Sequence, residues 1–521
     1  MYANRRLSLF AAALTLTVGS FAAGPSLAQD QDITIVVPDE PVGLDGCNSD
    51  QGAIGRVIKN NVVESLTEIT GDGKVEPRLA KSWSQVNETT WRFELQEGVA
   101  FHDGTPFNAE AAVAAINRTM ATDSVPSAEQ GGARTGLACR SRLKYFPFKI
   151  TPAAVDEYTL EIIADTAVPV LATQMSMVSL SSPKTTADAL VREPVGTGPY
   201  VFDHWTPGEE IVLRRNEEYW GEKGEIGTAK YVWRNESSVR AAMVELGEAD
   251  LAPIIAMQDA NNPETDHSYL NSETTWLRID TEIAPLDDVR VRKALTMAID
   301  REGLRAALLP TDAIPAEQPV VPSIPGHDDQ LDKTPTPYDA EAAMQLIAEA
   351  KAAGVPVDRE IELIARPNDY PNSQEALEAM VSMFQAVGLN VKLSMRESAQ
   401  WTVALRKPAD PNRGPILLAN QHDNNSGDPA ISVAHFFSCA GDASRLCDQE
   451  FDVLIKEAAT TPTGPERVQK YENLFKALRD DIVPNVNLFH MVGFARVGET
   501  IEFTPNLTTN SEIQLARIGL K

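Results

Sequence analysis

The sequence predicts a mixed α/β protein whose helices and strands interleave along the whole chain. Three observations predict it. Helical and strand periodicities alternate over 521 residues without an internal repeat. The chain is 43% hydrophobic and 23% charged, enough for a large core and too apolar for disorder. Its 31 Gly and 34 Pro fit many loops between elements rather than a collagen-like or low-complexity chain. At roughly 100–200 residues per domain, about three compact units are expected.

The elements follow in chain order. Residues 1–28 read as an address: Arg5 and Arg6 open it, 7–23 is an apolar run, and Ser26-Leu27-Ala28 supplies the small-x-small cleavage pattern. The run is too short and too broken by Gly19 and Thr for a membrane anchor, and no later stretch holds about 18 consecutive apolar residues. The mature chain is expected to start at Gln29 and to be exported and soluble. Residues 33–37 read as a buried strand, and 90–95 alternate as a half-buried one. Asn108 caps a helix with Ala112, Val113 and Ile116 on one face. Residues 339–353 form another helix, with Ala343, Leu346, Ile347 and Ala350 inward and Gly354 at its end. Asn372 and Glu375 have capping-box spacing before a helix that buries Leu377, Met380, Val381, Phe384 and Val387 and stops at Gly388. Val391, Leu393 and Met395 alternate as a strand, and the Pro-rich 310–337 reads as a long irregular connection.

A net charge of −28 disfavours binding to nucleic acid or anionic membranes. The chain has no GxSxG, HExxH, P-loop or dinucleotide fingerprint. His102-Asp103 lies in a turn-forming HDGTP and reads as structural. The loop 423–428 (DNNSGD) lacks the glycine position and closing glutamate of a calcium loop. No metal, no cofactor and no catalysis are expected, and weight shifts to binding.

Export to an oxidising compartment makes Cys439 and Cys447, eight residues apart in a polar loop, a disulfide candidate. Cys47 and Cys139 are distant; they either pair through the fold or remain buried thiols.

Several stretches carry a resemblance: 61–67 (NVVESLT), 72–83 (DGKVEPRLAKSW), 101–107 (FHDGTPF), 195–200 (VGTGPY), 216–220, 287–300 (DDVRVRKALTMAID) and 427–429 (GDP). Together, and in this order, they resemble the family 5 extracellular solute-binding proteins, the dipeptide, oligopeptide and nickel type of ABC importer. That resemblance implies a two-lobe periplasmic binding protein with a hinge and a subdomain inserted in the first lobe. The divisions expected are 29–66, 190–277 and 488–521 for lobe one, 67–189 for the insert and 278–487 for lobe two. It also implies a monomer that binds a small molecule, partners an ABC permease and resides in the periplasm. Gly196, Gly198 and Pro199 are expected to set a tight turn, and Trp83 and Trp220 to pack rather than bind.

In dipeptide-binding members an Arg clamps the ligand carboxylate and an Asp just before GDP receives its ammonium. The first position matches Arg366 in 365–372 (ARPNDYPN); the second, counted back without gaps, is Asn425, with Asp423 available if the loop is longer. An anion clamp without an acceptor for an amine favours a non-peptide acid such as an opine, a sugar phosphate of the agrocinopine type or an acidic sugar conjugate. Trp276, Trp401 and Tyr370 are candidate stacking faces, and Asn420, Gln421, His422, Asn424 and Asn425 candidate polar partners, each aromatic taken singly being more often a core residue. A dipeptide or oligopeptide is the second expectation, and an exported hydrolase on the same fold a third.

Overall fold

The computed structural model describes residues 31–121, 139, 146, 148–185, 191–310, 312–367, 369–370 and 372–521; the expected signal peptide lies outside them. Among these residues an eleven-stranded sheet runs through the molecule. Its order is Val391–Met395, Ile361–Ala365, Ile416–Asp423, Asp266–Ile279, Asn485–Val497, Leu251–Ile255, Gln31–Val37, Ile226–Trp233, Glu210–Arg215 and Tyr200–Thr206, with Ile314–Pro315 pairing onto Asn485–Val497. Both ends contain parallel pairs, Ile361–Ala365 with Val391–Met395 and Gln31–Val37 with Ile226–Trp233. Within these pairs Gln31–Val37 and Ile361–Ala365 bury residues on both faces and are rich in Ile, Val and Leu, whereas Val391–Met395 and Ile226–Trp233 keep exposed positions. A separate antiparallel sheet of Ala80–Asn87, Thr90–Leu95, Thr159–Ala164 and Ile150–Ala154 carries its own core of Phe93, Phe101, Phe107, Ile116 and Leu160.

The middle of the large sheet is the antiparallel pair Asp266–Ile279 and Asn485–Val497, whose register shifts between Leu270 and Thr274 and again between Thr275 and Trp276. On one side of this pair lies a core of Ile33, Ile35, Tyr200, Leu213 and Tyr231. On the other, the sheet buries Leu295, Leu363, Met380, Phe384 and Leu417 on one face, and Trp276, Leu418, Phe436 and Phe475 on the other. The two shifts are local irregularities of the kind bulges make where strands bend.

The elements read from periodicity form as expected at Gln31–Val37, Thr90–Leu95, Ala109–Met120, Ala340–Ala352, Ser373–Ala386 and Val391–Met395. Asn108 and Asp339 accept from the backbone N–H groups of Ala111 and Ala342, each at 2.9 Å. The capping box at Asn372 does not form. Asn372 sits at φ 60°, and its Nδ2 donates to the Leu308 carbonyl at 2.8 Å, so its side chain ties two helices together instead of capping one. The Pro-rich connection is irregular apart from the short strand Ile314–Pro315 and the helix Asp329–Lys333.

Four of the motif stretches converge on one buried carboxylate. Glu64 receives Arg78 Nε at 2.7 Å, Thr197 Oγ1 at 2.8 Å, Tyr219 OH at 2.7 Å and Trp220 Nε1 at 3.1 Å. These residues therefore build the scaffold: a buried charge persists only when paired and hydrogen-bonded. Gly196 and Gly198 are required by proximity, not by a left-handed turn. A Cβ on either would stand 2.0 Å from the Val62 carbonyl oxygen or 2.2 Å from that of Asn61. His102 bonds the Gly198 carbonyl at 2.9 Å, and Asp103 accepts from Thr105 N, a structural turn. Both cysteine pairs are bridged, Cys439–Cys447 and the distant Cys47–Cys139.

Candidate functional site

The strand Ile416–Asp423 alternates, and that alternation sorts the candidate residues. Gln421 and Asp423 share a face with Glu273 of the neighbouring strand: Glu273 is directly opposite Asp423, and Gln421 Nε2 donates to its carboxyl group. Asn420 and His422 project to the other face. His422 Nε2 meets Ser432 Oγ at 2.6 Å, and its ring packs on Trp276 and Phe436. Trp276 is fully enclosed there, edge-on to Phe436 at 5.2 Å. Asn420 is buried beside it in register with Trp276.

Arg366 follows the strand Ile361–Ala365 directly. Its guanidinium contacts the Asp369 carboxylate and lies 4.1 Å above the Trp401 ring. Trp401 is buried and donates Nε1 to the Ala419 carbonyl at 3.0 Å, and Tyr370 is buried in the Leu363–Phe384 core. The three aromatics thus present no open stacking face; at most the Trp401 ring, already covered by Arg366, borders the site.

Asp423 accepts from Ser272 Oγ and, at 2.9 Å, from the backbone N–H of Asn425, so the loop after the strand folds back on it. Asn424 is buried and donates to the Ser272 carbonyl at 3.1 Å. Asp428 turns away from these residues: it caps the helix Pro429–Phe437 through Ala430 N and pairs with Arg467 Nη2 at 2.8 Å. Gly427, at φ 69°, brings the loop against Ile69 and Thr173: a Cβ there would stand 2.8 Å from Ile69 Cδ1 and 3.2 Å from Thr173 Cγ2.

The sequence reading missed Glu273, Asp369, Arg56 and Asn510. Half-buried Glu273 accepts from Asn271 Nδ2 at 3.0 Å, and Asn510, whose carbonyl takes Arg56 Nη1, also bonds its carboxyl. Loss of solvent, followed by repulsion from Asp423 and Asp369, pushes Glu273 up to about 8. Burial also raises Asp369, against the pull of Arg366, and lowers Arg56 to about 10. Only Asp369 carried a sequence signal, its position three residues after Arg366. The arrangement is three crowded carboxyl groups flanked by two guanidinium groups, and it can take a cationic group and an anionic group at once.

A model of the bacterial extracellular solute-binding proteins, family 5 (middle), matches residues 74–444. The dipeptide-binding protein of Escherichia coli K12 is 27% identical over 472 residues, 83% of this chain and 84% of that protein. Heme-binding protein A of Haemophilus influenzae is 25% identical over 490 residues, 89% and 87% of the two chains. Among solved structures, HbpA2 from Haemophilus parasuis superposes with a TM-score of 0.79 at 20% identity, over 94% of this chain and 100% of that one.

Proposed function

This chain belongs to the bacterial extracellular solute-binding proteins of family 5, and we propose that within this transport family it captures a short peptide for an ABC permease. The observation that carries the peptide reading is the crowding of Glu273, Asp423 and Asp369. Like charges directly opposite on paired strands cost stability, and a ligand ammonium seated among them would relieve that cost. Arg366, with Arg56 on the other lobe, would take the peptide carboxylate; a guanidinium forks onto a carboxylate with two parallel hydrogen bonds. Dipeptide-binding relatives support the same order of preference.

In this reading Asp423 and Glu273 replace the acid that Asn425 lacks, and the peptide moves ahead of the non-peptide acid. The acid stays second because Arg366 and the neutral Asn425 suit it. Lobe one comprises 29–66, 190–277 and 488–521, with 67–189 inserted, and lobe two 278–487. The protein works as a periplasmic monomer after loss of residues 1–28. Ligand must touch both lobes, since only differential affinity for the closed state drives closure.

Calorimetry with a free dipeptide, its N-acetylated form and its C-amidated form tests this. Free peptide should bind, N-acetylation should abolish binding, and Arg366→Met should weaken it by about 2–5 kcal/mol. Mass spectrometry of the copurified solute finding a non-peptide acid, with no heat from any peptide, would reverse the preference.

A further inference from the structure

The Pro-rich connection and the strand Asn485–Val497 bring together three side chains that the peptide reading does not use. Asp332 Oδ2 lies 2.7 Å from His327 Nε2 and 3.0 Å from His490 Nε2, and the three atoms all fall within 4.8 Å of one another. The side chains are 8%, 3% and 0% exposed. The ring centroids of the two histidines are 5.7 Å apart.

The outer atoms of the cluster are also tied down. Asp332 Oδ1 takes the Glu317 backbone N–H at 2.8 Å, His490 Nδ1 meets Thr274 Oγ1 at 2.9 Å, and His327 Nδ1 faces Asp329 Oδ1 at 3.3 Å. Oxygen partners on the outer ring nitrogens orient metal-binding imidazoles and set their tautomer. Thr274 follows Glu273 on one strand, so the cluster lies across the sheet from the acidic site.

Counting donors and acceptors exposes a deficit. His490 balances without an ion as a neutral ring, with Nε2–H toward Asp332 and Nδ1 accepting from the Thr274 hydroxyl; to hold a metal it takes the other tautomer, its Nδ1–H donating to Thr274 Oγ1. His327 does not balance without one. With its proton on Nε2, the Nδ1 lone pair faces only the Asp329 carboxylate oxygen, 3.3 Å away, which has no proton to donate. With its proton on Nδ1, the Nε2 lone pair points at the Asp332 oxygen. A metal ion between Nε2 and Asp332 closes the count in that tautomer.

We propose that His327, Asp332 and His490 form a divalent transition-metal site that takes Zn2+. Two imidazoles and a carboxylate suit Zn2+, and a water can complete the tetrahedron. Bonds of about 2.0–2.2 Å place tetrahedral ligands about 3.4 Å apart, so the two imidazole–carboxylate contacts of 2.7 and 3.0 Å must lengthen by roughly 0.4–0.7 Å. An ion there would join the connection 310–337 to a central strand.

The test is equilibrium dialysis of the tag-free, chelator-stripped mature protein against micromolar Zn2+, read by elemental analysis. One zinc per chain is expected. His327→Gln and Asp332→Asn, each checked for native circular dichroism, should weaken uptake by more than the roughly 10–100-fold that loss of an outer partner costs. Co2+ should give the intense visible bands of a four-coordinate ion, absent in His327→Gln. No zinc at that concentration, or equal uptake by both folded variants, would overturn the site.

Discussion

Glu273 and Asp423 face each other as a directly paired couple across the antiparallel strands Asp266–Ile279 and Ile416–Asp423. Two carboxyl groups in that relation cannot both ionise without cost, and the protonated form of Glu273 is held up to about 8.

Stability should therefore depend on pH through Glu273. Its folded value lies above its unfolded value of about 4.5, so the folded state binds the extra proton between those limits. Stability from this group is complete below about 4.5 and is lost as pH rises toward about 8. Glu273→Gln should stabilise the ligand-free protein on the order of 4 kcal/mol at pH 8 and little at pH 4.5. Urea titrations at the two pH values check it; an equal effect at both would refute the linkage.

Peptide binding should carry the opposite sign. An ammonium favours ionised Glu273, so below pH about 8 binding must expel a proton. Affinity should rise from pH 6 to 8, and calorimetry in buffers of different ionisation enthalpy should register proton release. Glu273→Gln should flatten that dependence.

Asp428 and Arg467 form a buried pair, 6% and 4% exposed, which also holds the start of the helix Pro429–Phe437. Arg467 further donates to the carbonyls of Ala458, Ala459 and Thr461. Arg467→Met leaves a buried carboxylate without its partner and should cost about 3–5 kcal/mol. Denaturant midpoints with an unchanged slope would measure it.

Gly198→Ala should be among the most damaging single-methyl changes. The new Cβ would meet the Asn61 backbone at 2.2 Å, where no rotamer can give way. A loss of about 2 kcal/mol or more is expected, against about 1 kcal/mol at Gly98 or Gly354, where a Cβ meets only open space but must adopt a positive φ. Thermal melts of the three variants compare them.

The two disulfides should differ in worth. Cys47–Cys139 spans 92 residues and Cys439–Cys447 spans eight. Loop entropy assigns about 4.6 and 2.5 kcal/mol to them. Double Ser variants of each pair, compared in urea, should keep that order.

Much of this protein was legible in its sequence because the signals are local. Helix periods, the caps at Asn108 and Asp339, and the ordered motifs determined the α/β elements and the family fold, since each depends on neighbours a few residues away. The capping box at Asn372 failed because the Leu308 carbonyl, far along the chain, competes for its side chain. The run 420–423 looked like one binding surface, yet pleating sends Gln421 and Asp423 to Glu273 and sends Asn420 and His422 into the core with Trp276. Glu273 had no signal of its own. Its meaning comes from strand register, which only the assembled sheet decides, and register alone sets two acids from distant segments side by side.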